Sequence, residues 1–135
     1  MVVDASVAIG AFMPDEPPRA RILLSEAAAA GPLYAPAYWS AEVASGFLAA
    51  ERRLRFTSAH MSAAFASLNE LNVNIDMNTP MIAFGPLVHL ARQHRLSVYD
   101  AGYLELAMRL TVPLLTFDRA LARAADAQGV HVPLQ

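Results

Sequence analysis

The chain has 135 residues and a formal net charge of −2; 56% of its residues are hydrophobic and 16% charged. That length predicts one compact domain, and that charge excludes a dedicated basic glove for nucleic acid. All 10 basic residues are arginines and there is no cysteine, so lysine chemistry, thiolate nucleophiles, disulfides and thiolate metal sites are ruled out together.

The opening MVV reads as a short apolar strand closed by Asp4, and ASVAIGAFM after it has helical spacing until Pro14 stops it. With an acid inside its apolar stretch and no positive leader, this segment reads as neither signal peptide nor anchor. No other apolar run free of charge and proline reaches membrane-spanning length. A soluble, cytoplasmic protein is expected, and so apolar a composition on so small a chain predicts an oligomer or a standing protein partner.

Asp15-Glu16-Pro17-Pro18 looks like the start of a helix running through ARILLSEAAAA to Gly31, and PLYAP follows as a brief strand. Residues 37–53 form a helix with an apolar stripe at Trp39, Val43, Phe47, Ala50 and Leu54. Residues 57–71 form another, capped by Thr57 or Ser58. NVNIDM alternates like a strand, and residues 79–94 return to helix with a kink or break at Gly85-Pro86. Residues 98–110 are helical, PLLT is a strand, 118–128 are helical with Gly129 as the C-cap, and VHV is a last strand. The order β-α-α-β-α-α-β-α-α-β-α-β, with near-continuous apolar strands, predicts an α/β fold: a three-layer α/β/α sandwich around a central, mostly parallel sheet.

In such sheets the working crevice lies beyond the carboxyl ends of the strands. Asp4 and Asp118 both fall there, although either alone serves equally well as a helix N-cap. Asp100 stands in a Ser97-x-x-Asp100 capping-box pattern, yet shares a helical face with Leu104, Ala107 and Thr111. Glu42 is placed mid-helix beside the apolar stripe, where it serves no cap, whereas Glu105 pairs with Arg109 on the outer surface. Carboxylates gathered at one sheet edge repel one another, and an oxygen-only set without His or Cys selects Mg²⁺ or Mn²⁺. The histidines at 60, 89, 94 and 131 show no metal-ligand spacing.

Together VVDASV, SAEVASGF, LSVYDAGYLELA and LLTFDRAL resemble, in order and surroundings, the acidic motifs of the PIN domain, and specifically of the VapC toxins of bacterial toxin-antitoxin pairs. The resemblance spans essentially the whole chain. It implies a PIN-like fold and a Mg²⁺-dependent endoribonuclease, with Mn²⁺ as a substitute, that hydrolyses RNA to a 5′-phosphate and a 3′-hydroxyl. Asp4, Glu42, Asp100 and Asp118 match the family's catalytic, metal-binding quartet, with Ser6 and Thr116 as the hydroxyl residues that support it. Asp4 and Asp100 would flank the crevice as ligands, Glu42 would bind metal or orient water, and Asp118 would act through a second metal or a bridging water. The resemblance also implies a homodimer and a cognate antitoxin that reaches the metal pocket with a basic side chain. The candidate docking groove lies between the second helix and the helix at 37–53, lined by Ile22, Leu23, Phe47 and Leu48.

For substrate grip, Arg119 beside Asp118 is the best placed arginine, with Arg92, Arg95, Arg123 and the 51–55 cluster as further candidates. Tyr99, Tyr103 and Trp39 are candidates for stacking on a base, Trp39 being the one expected in the core. Receiver domains and aspartyl phosphatases need a lysine that is absent here, and no glycine-rich phosphate loop is present. The non-enzyme alternative is a catalytically silent interaction module of the same fold.

Overall fold

The computed structural model describes residues 1–133. Its centre is a sheet of four parallel strands, β1 (Val2–Val3), β2 (Tyr34–Pro36), β3 (Asn74–Asp76) and β4 (Leu114–Leu115), in the order β3-β2-β1-β4. Successive strand residues point to opposite faces. Val2, Val3, Leu114 and Leu115 are nevertheless all buried, so helices cover both faces and the three-layer α/β/α architecture follows. Only β3, at the edge, leaves Asn74 and Ile75 exposed.

The helices are α1 (Ala5–Phe12), α2 (Arg19–Ala30), α3 (Trp39–Arg52), α4 (Ser58–Glu70), α5 (Val88–His94), α6 (Val98–Leu110) and α7 (Arg119–Ala127). Thr57 caps α4, its side chain accepting from His60 N at 3.1 Å. The expected disturbance at Gly85-Pro86 is a 3₁₀ turn (Thr79–Ile82) followed by a π turn (Ala83–Leu87). Pro86 lacks an N–H and its ring crowds the preceding turn, and the wider π turn accommodates it before α5 begins. After α7, Gly129 has φ 71° and Val130 N reaches back to Ala125 O at 2.8 Å, which ends the helix sharply.

Three expectations are corrected. The VHV segment forms no strand: a hydrogen bond from Leu114 N to His131 O ties it to the sheet, and no ladder continues from it among the described residues. Leu54 is not part of the apolar stripe but lies past the end of α3 at φ 58°, 93% exposed. Asp15 and Glu16 do not serve the start of α2; both are held by the Arg55 guanidinium, at 2.7 and 3.1 Å.

The core runs through Trp39, Val43, Phe47 and the β1 and β4 valines and leucines, with Phe47 stacked on Phe56 at 4.8 Å. Trp39 is core, as expected. A polar clamp fastens the edge: Arg109 on α6 bridges Glu105 at 2.8 Å, the expected helix pair, and also Asp76 of β3 at 2.7 Å. Burial works to raise the Asp76 carboxyl, but its bonds from Thr79 and Arg109 outweigh that and hold it below the usual aspartate range.

Candidate active site

The parallel register decides where the first acid goes. Val2 pairs with Leu114 and Val3 with Leu115, and Asp4 N donates to Leu115 O at 2.9 Å, so Asp4 and Thr116 leave their strands side by side. The chain passes from β1 to β2 on one side and is joined by β4 on the other. Such a divergence opens a crevice at the strand ends. Here it is a cleft of about 600 Å³ whose walls include Asp4, Glu42, Asp100 and Asp118. The structure thus brings together four acids separated by as much as 114 positions in the chain.

Neutral hydroxyls hold most of these carboxylates. Asp4 is 5% exposed, and its Oδ2 accepts from Ser6 Oγ at 2.5 Å and Thr116 Oγ1 at 2.6 Å. Ser6 Oγ also accepts from Phe117 N and Thr116 Oγ1 from Asp118 N, so both hydroxyls are fixed between backbone and carboxylate. Only half of the expected capping box forms: Ser97 Oγ accepts from Asp100 N at 3.0 Å, but the Asp100 Oδ2 takes the Ser97 hydroxyl, at 2.6 Å, rather than the Ser97 backbone N–H. Glu42 accepts from Tyr103 Oη at 2.5 Å. Asp118 is a full N-cap of α7, its Oδ1 taking the amides of Ala120 and Leu121, each at 2.7 Å. The capping role anticipated for Asp118 and the cleft role therefore coexist, on a carboxylate with only Oδ1 committed to the helix.

Burial raises the Asp4 carboxyl above the usual aspartate range, opposed by the bonds from Ser6 and Thr116 and helped by the charge of Asp100. Glu42 is raised as well, first by burial and then by Asp4 and Asp100, with the Tyr103 bond acting against them. None of the four acids forms an ion pair among the described residues. Among the described residues no arginine or histidine lines the cleft.

Among the described residues, no group of three His, Asp or Glu side chains stands close enough to form a ready-made ion cage. The donor chemistry still fits a hard divalent cation. Among the described residues that line the cleft every available ligand is oxygen, the most buried carboxylate has no ion-pair partner, and no soft ligand competes.

Several placements differ from expectation. Glu42 is not mid-helix: α3 begins at Trp39, so Glu42 occupies its first turn, where the helix dipole favours an acid. Phe47 is fully buried in the core, while Ile22 and Leu48 are exposed. α1 packs against both α2 and α3, and the apolar groove, about 610 Å³, runs past Ile9, Gly10, Ala20 and Gly46 instead. Of the 51–55 cluster, Arg55 is occupied by Asp15 and Glu16, and Arg53 borders that apolar groove rather than the cleft.

Two tyrosines carry more than their assigned share. Tyr103 is completely buried and serves as the donor to Glu42; its spacing of three from Asp100 on α6 was the available signal. Tyr38, not singled out in the sequence, lies in the cleft wall, donates to Tyr99 O at 2.8 Å, and meets the Tyr99 ring edge-on at 5.1 Å. Tyr99 itself is 58% exposed at the cleft mouth. A Tyr103→Phe substitution keeps the packing and removes the donor to Glu42; the single-turnover rate of the RNA cleavage that the sequence motifs imply should fall about 10–100-fold, the usual effect of losing such a support.

The family model of the PIN domain matches residues 1–127. The chain is 33% identical over 128 residues to VapC ribonuclease Mb0985 of Mycobacterium bovis and to Ribonuclease VapC9 of Mycobacterium tuberculosis, covering 95% of this chain and 93% of each relative. Among solved structures, that of FitAcB from Neisseria gonorrhoeae superposes with a TM-score of 0.63 at 18% identity, covering 97% of this chain and 94% of the other, a likeness of fold. By its motifs, its sheet and its relatives over nearly the full length, the chain belongs to the PIN-domain family, among the VapC-type members.

Proposed function

We propose that this protein is a divalent-metal-dependent endoribonuclease, the toxin half of a toxin-antitoxin pair. The observation that carries the reading is a single cleft walled by four carboxylates with no basic side chain among them. The ribonuclease names of its VapC relatives point the same way. Asp4 and Asp100 would be the principal ligands of Mg²⁺ or Mn²⁺, with Glu42 and Asp118 completing the set. A cation held there supplies a water of lowered pKa and a counter-charge for the phosphodiester being displaced.

The chain's own part is positioning. Ser6 and Thr116 fix the orientation of Asp4, Ser97 that of Asp100 and Tyr103 that of Glu42. Because these supports are hydroxyls, they orient the carboxylates without neutralising them. Burial of Asp4 in the β1–β4 crevice keeps its charge poorly solvated and favours exchange of that lost hydration for a cation.

A homodimer and a cognate antitoxin are part of the proposal. Met77, Met81 and Phe84 are exposed, at 69%, 83% and 104%, along the irregular segment after β3. With the apolar groove between α1, α2 and α3, they give the chain apolar surface suited to protein partners. The deciding experiment incubates the purified protein with total RNA under Mg²⁺, Mn²⁺ or chelator and maps the cut ends by sequencing. Discrete metal-dependent cuts with 5′-phosphates are expected. Intact RNA under every condition, with a melting temperature indifferent to divalent ions, favours the silent interaction module instead.

A further inference from the structure

A nuclease cleft whose charged side chains are all acidic repels the strand it must cut, so attraction has to come from nearby. The arginines can be sorted by what they already do. Arg21 donates to Ala11 O, Arg55 is held by Asp15 and Glu16, and Arg109 by Asp76 and Glu105. Arg119 and Arg123 are exposed, and among the described residues neither guanidinium is hydrogen-bonded or ion-paired. They stand four apart on α7, one turn above the other on one face. Both line a crevice of about 480 Å³ that also includes Arg19, Thr116 and Asp118.

That crevice adjoins the acid cleft. Asp118 belongs to the wall of both. Thr116, in the crevice wall, donates its hydroxyl to Asp4 inside the cleft at 2.6 Å. The Asp118 carboxylate at the shared rim is partly satisfied by the α7 amides, which moderates its repulsion of an incoming anion. Arg123, one turn further along α7, lies beyond that carboxylate.

We propose that the Arg119–Arg123 crevice seats a phosphate of the RNA strand neighbouring the one cleaved, with the guanidiniums as its ligands. The inference rests on the endoribonuclease reading and adds to it the direction in which the strand leaves the cleft. Guanidiniums suit the task because their fork of donors matches phosphate oxygens, and phosphate contacts fix register without reading sequence.

The test combines protein and substrate changes. Steady-state cleavage of a short single-stranded RNA is measured with the unaltered chain, Arg119→Ala and Arg123→Ala, and each is repeated with neutral methylphosphonates placed singly along the strand. Each arginine change should raise KM about tenfold with little change in kcat, as expected when one charge-assisted hydrogen bond to phosphate is removed. The dependence of log(kcat/KM) on log salt should become shallower by about 0.7 for each arginine replaced. At one position adjacent to the cut, a methylphosphonate should impair the unaltered protein yet cost the Arg123→Ala protein nothing further. Unchanged KM and salt dependence, or additive losses at every position, overturn the crevice assignment while leaving the nuclease reading intact. Failure of the unaltered protein to cleave any RNA overturns both.

Discussion

Asp4→Asn should reduce RNA cleavage by more than about 100-fold and at the same time raise the melting temperature of the ion-free protein by a few degrees. The two effects share one cause. Asp4 is buried between Ser6 and Thr116, and its carboxyl is raised, chiefly by burial. An acid with a raised folded-state pKa binds its proton more tightly in the native chain. Stability is therefore greatest below the ordinary aspartate range and declines as pH rises through the raised value. Above that raised value, without a cation, the native state carries this destabilising charge. Asparagine removes it, keeps an oxygen that accepts from the same hydroxyls, and abolishes the anionic ligand. Differential scanning fluorimetry with and without Mg²⁺ checks the argument. The ion should stabilise the unaltered protein and leave Asp4→Asn unmoved, and an Asp4→Asn protein that melts lower than its parent in chelator would show that Asp4 is not an uncompensated charge.

Gly102→Ala should be the most damaging alanine replacement among the glycines. A Cβ at that position would fall inside the Tyr38 hydroxyl and reach Thr79 Cγ2 at 2.9 Å. Tyr38 cannot yield cheaply: its hydroxyl is bonded to Tyr99 O and its ring packs edge-on against both Tyr99 and Tyr103. Thr79 is fully buried and tied to Asp76 through side chain and backbone. Overpacking of this kind costs roughly 1–3 kcal/mol. It would also push Tyr103, the support of Glu42, so cleavage should fall along with stability. Chemical denaturation paired with the cleavage assay measures both. A variant with unchanged denaturation midpoint would mean that α6 and the Tyr38 loop are free to separate.

Much of this was legible from the residue order. The strands at Val2, Tyr34 and Leu114 were legible as the short apolar runs that a sheet covered on both faces demands, and the exposed edge strand at Asn74 by its alternation. The acids were legible as a set rather than singly, since Asp4 and Asp118 each suit an N-cap and only their order and surroundings with Glu42 and Asp100 match one family's motifs. VHV failed as a strand because three residues carry too little pattern to distinguish a ladder from a tethered tail. Phe47 was placed in a groove and proved to be core, because helical spacing tells which residues share a face and not what covers it. The same limit hid the partners of Arg55, which is occupied by acids 39 and 40 positions away, a pairing that only the fold creates. Tyr103 shows the converse, a residue whose helical offset from Asp100 pointed to the cleft while its type pointed to the interior, and both hold.

The hydroxyl supports of the cleft have one more consequence. Serine, threonine and tyrosine anchor a carboxylate without cancelling it, so the charge imbalance persists in the folded molecule as latent affinity for a positive group from outside. An inorganic ion, a polyamine and a guanidinium presented on a peptide would then be rivals for one seat, and the occupant at any moment would be set by their relative concentrations rather than by rearrangement of the protein.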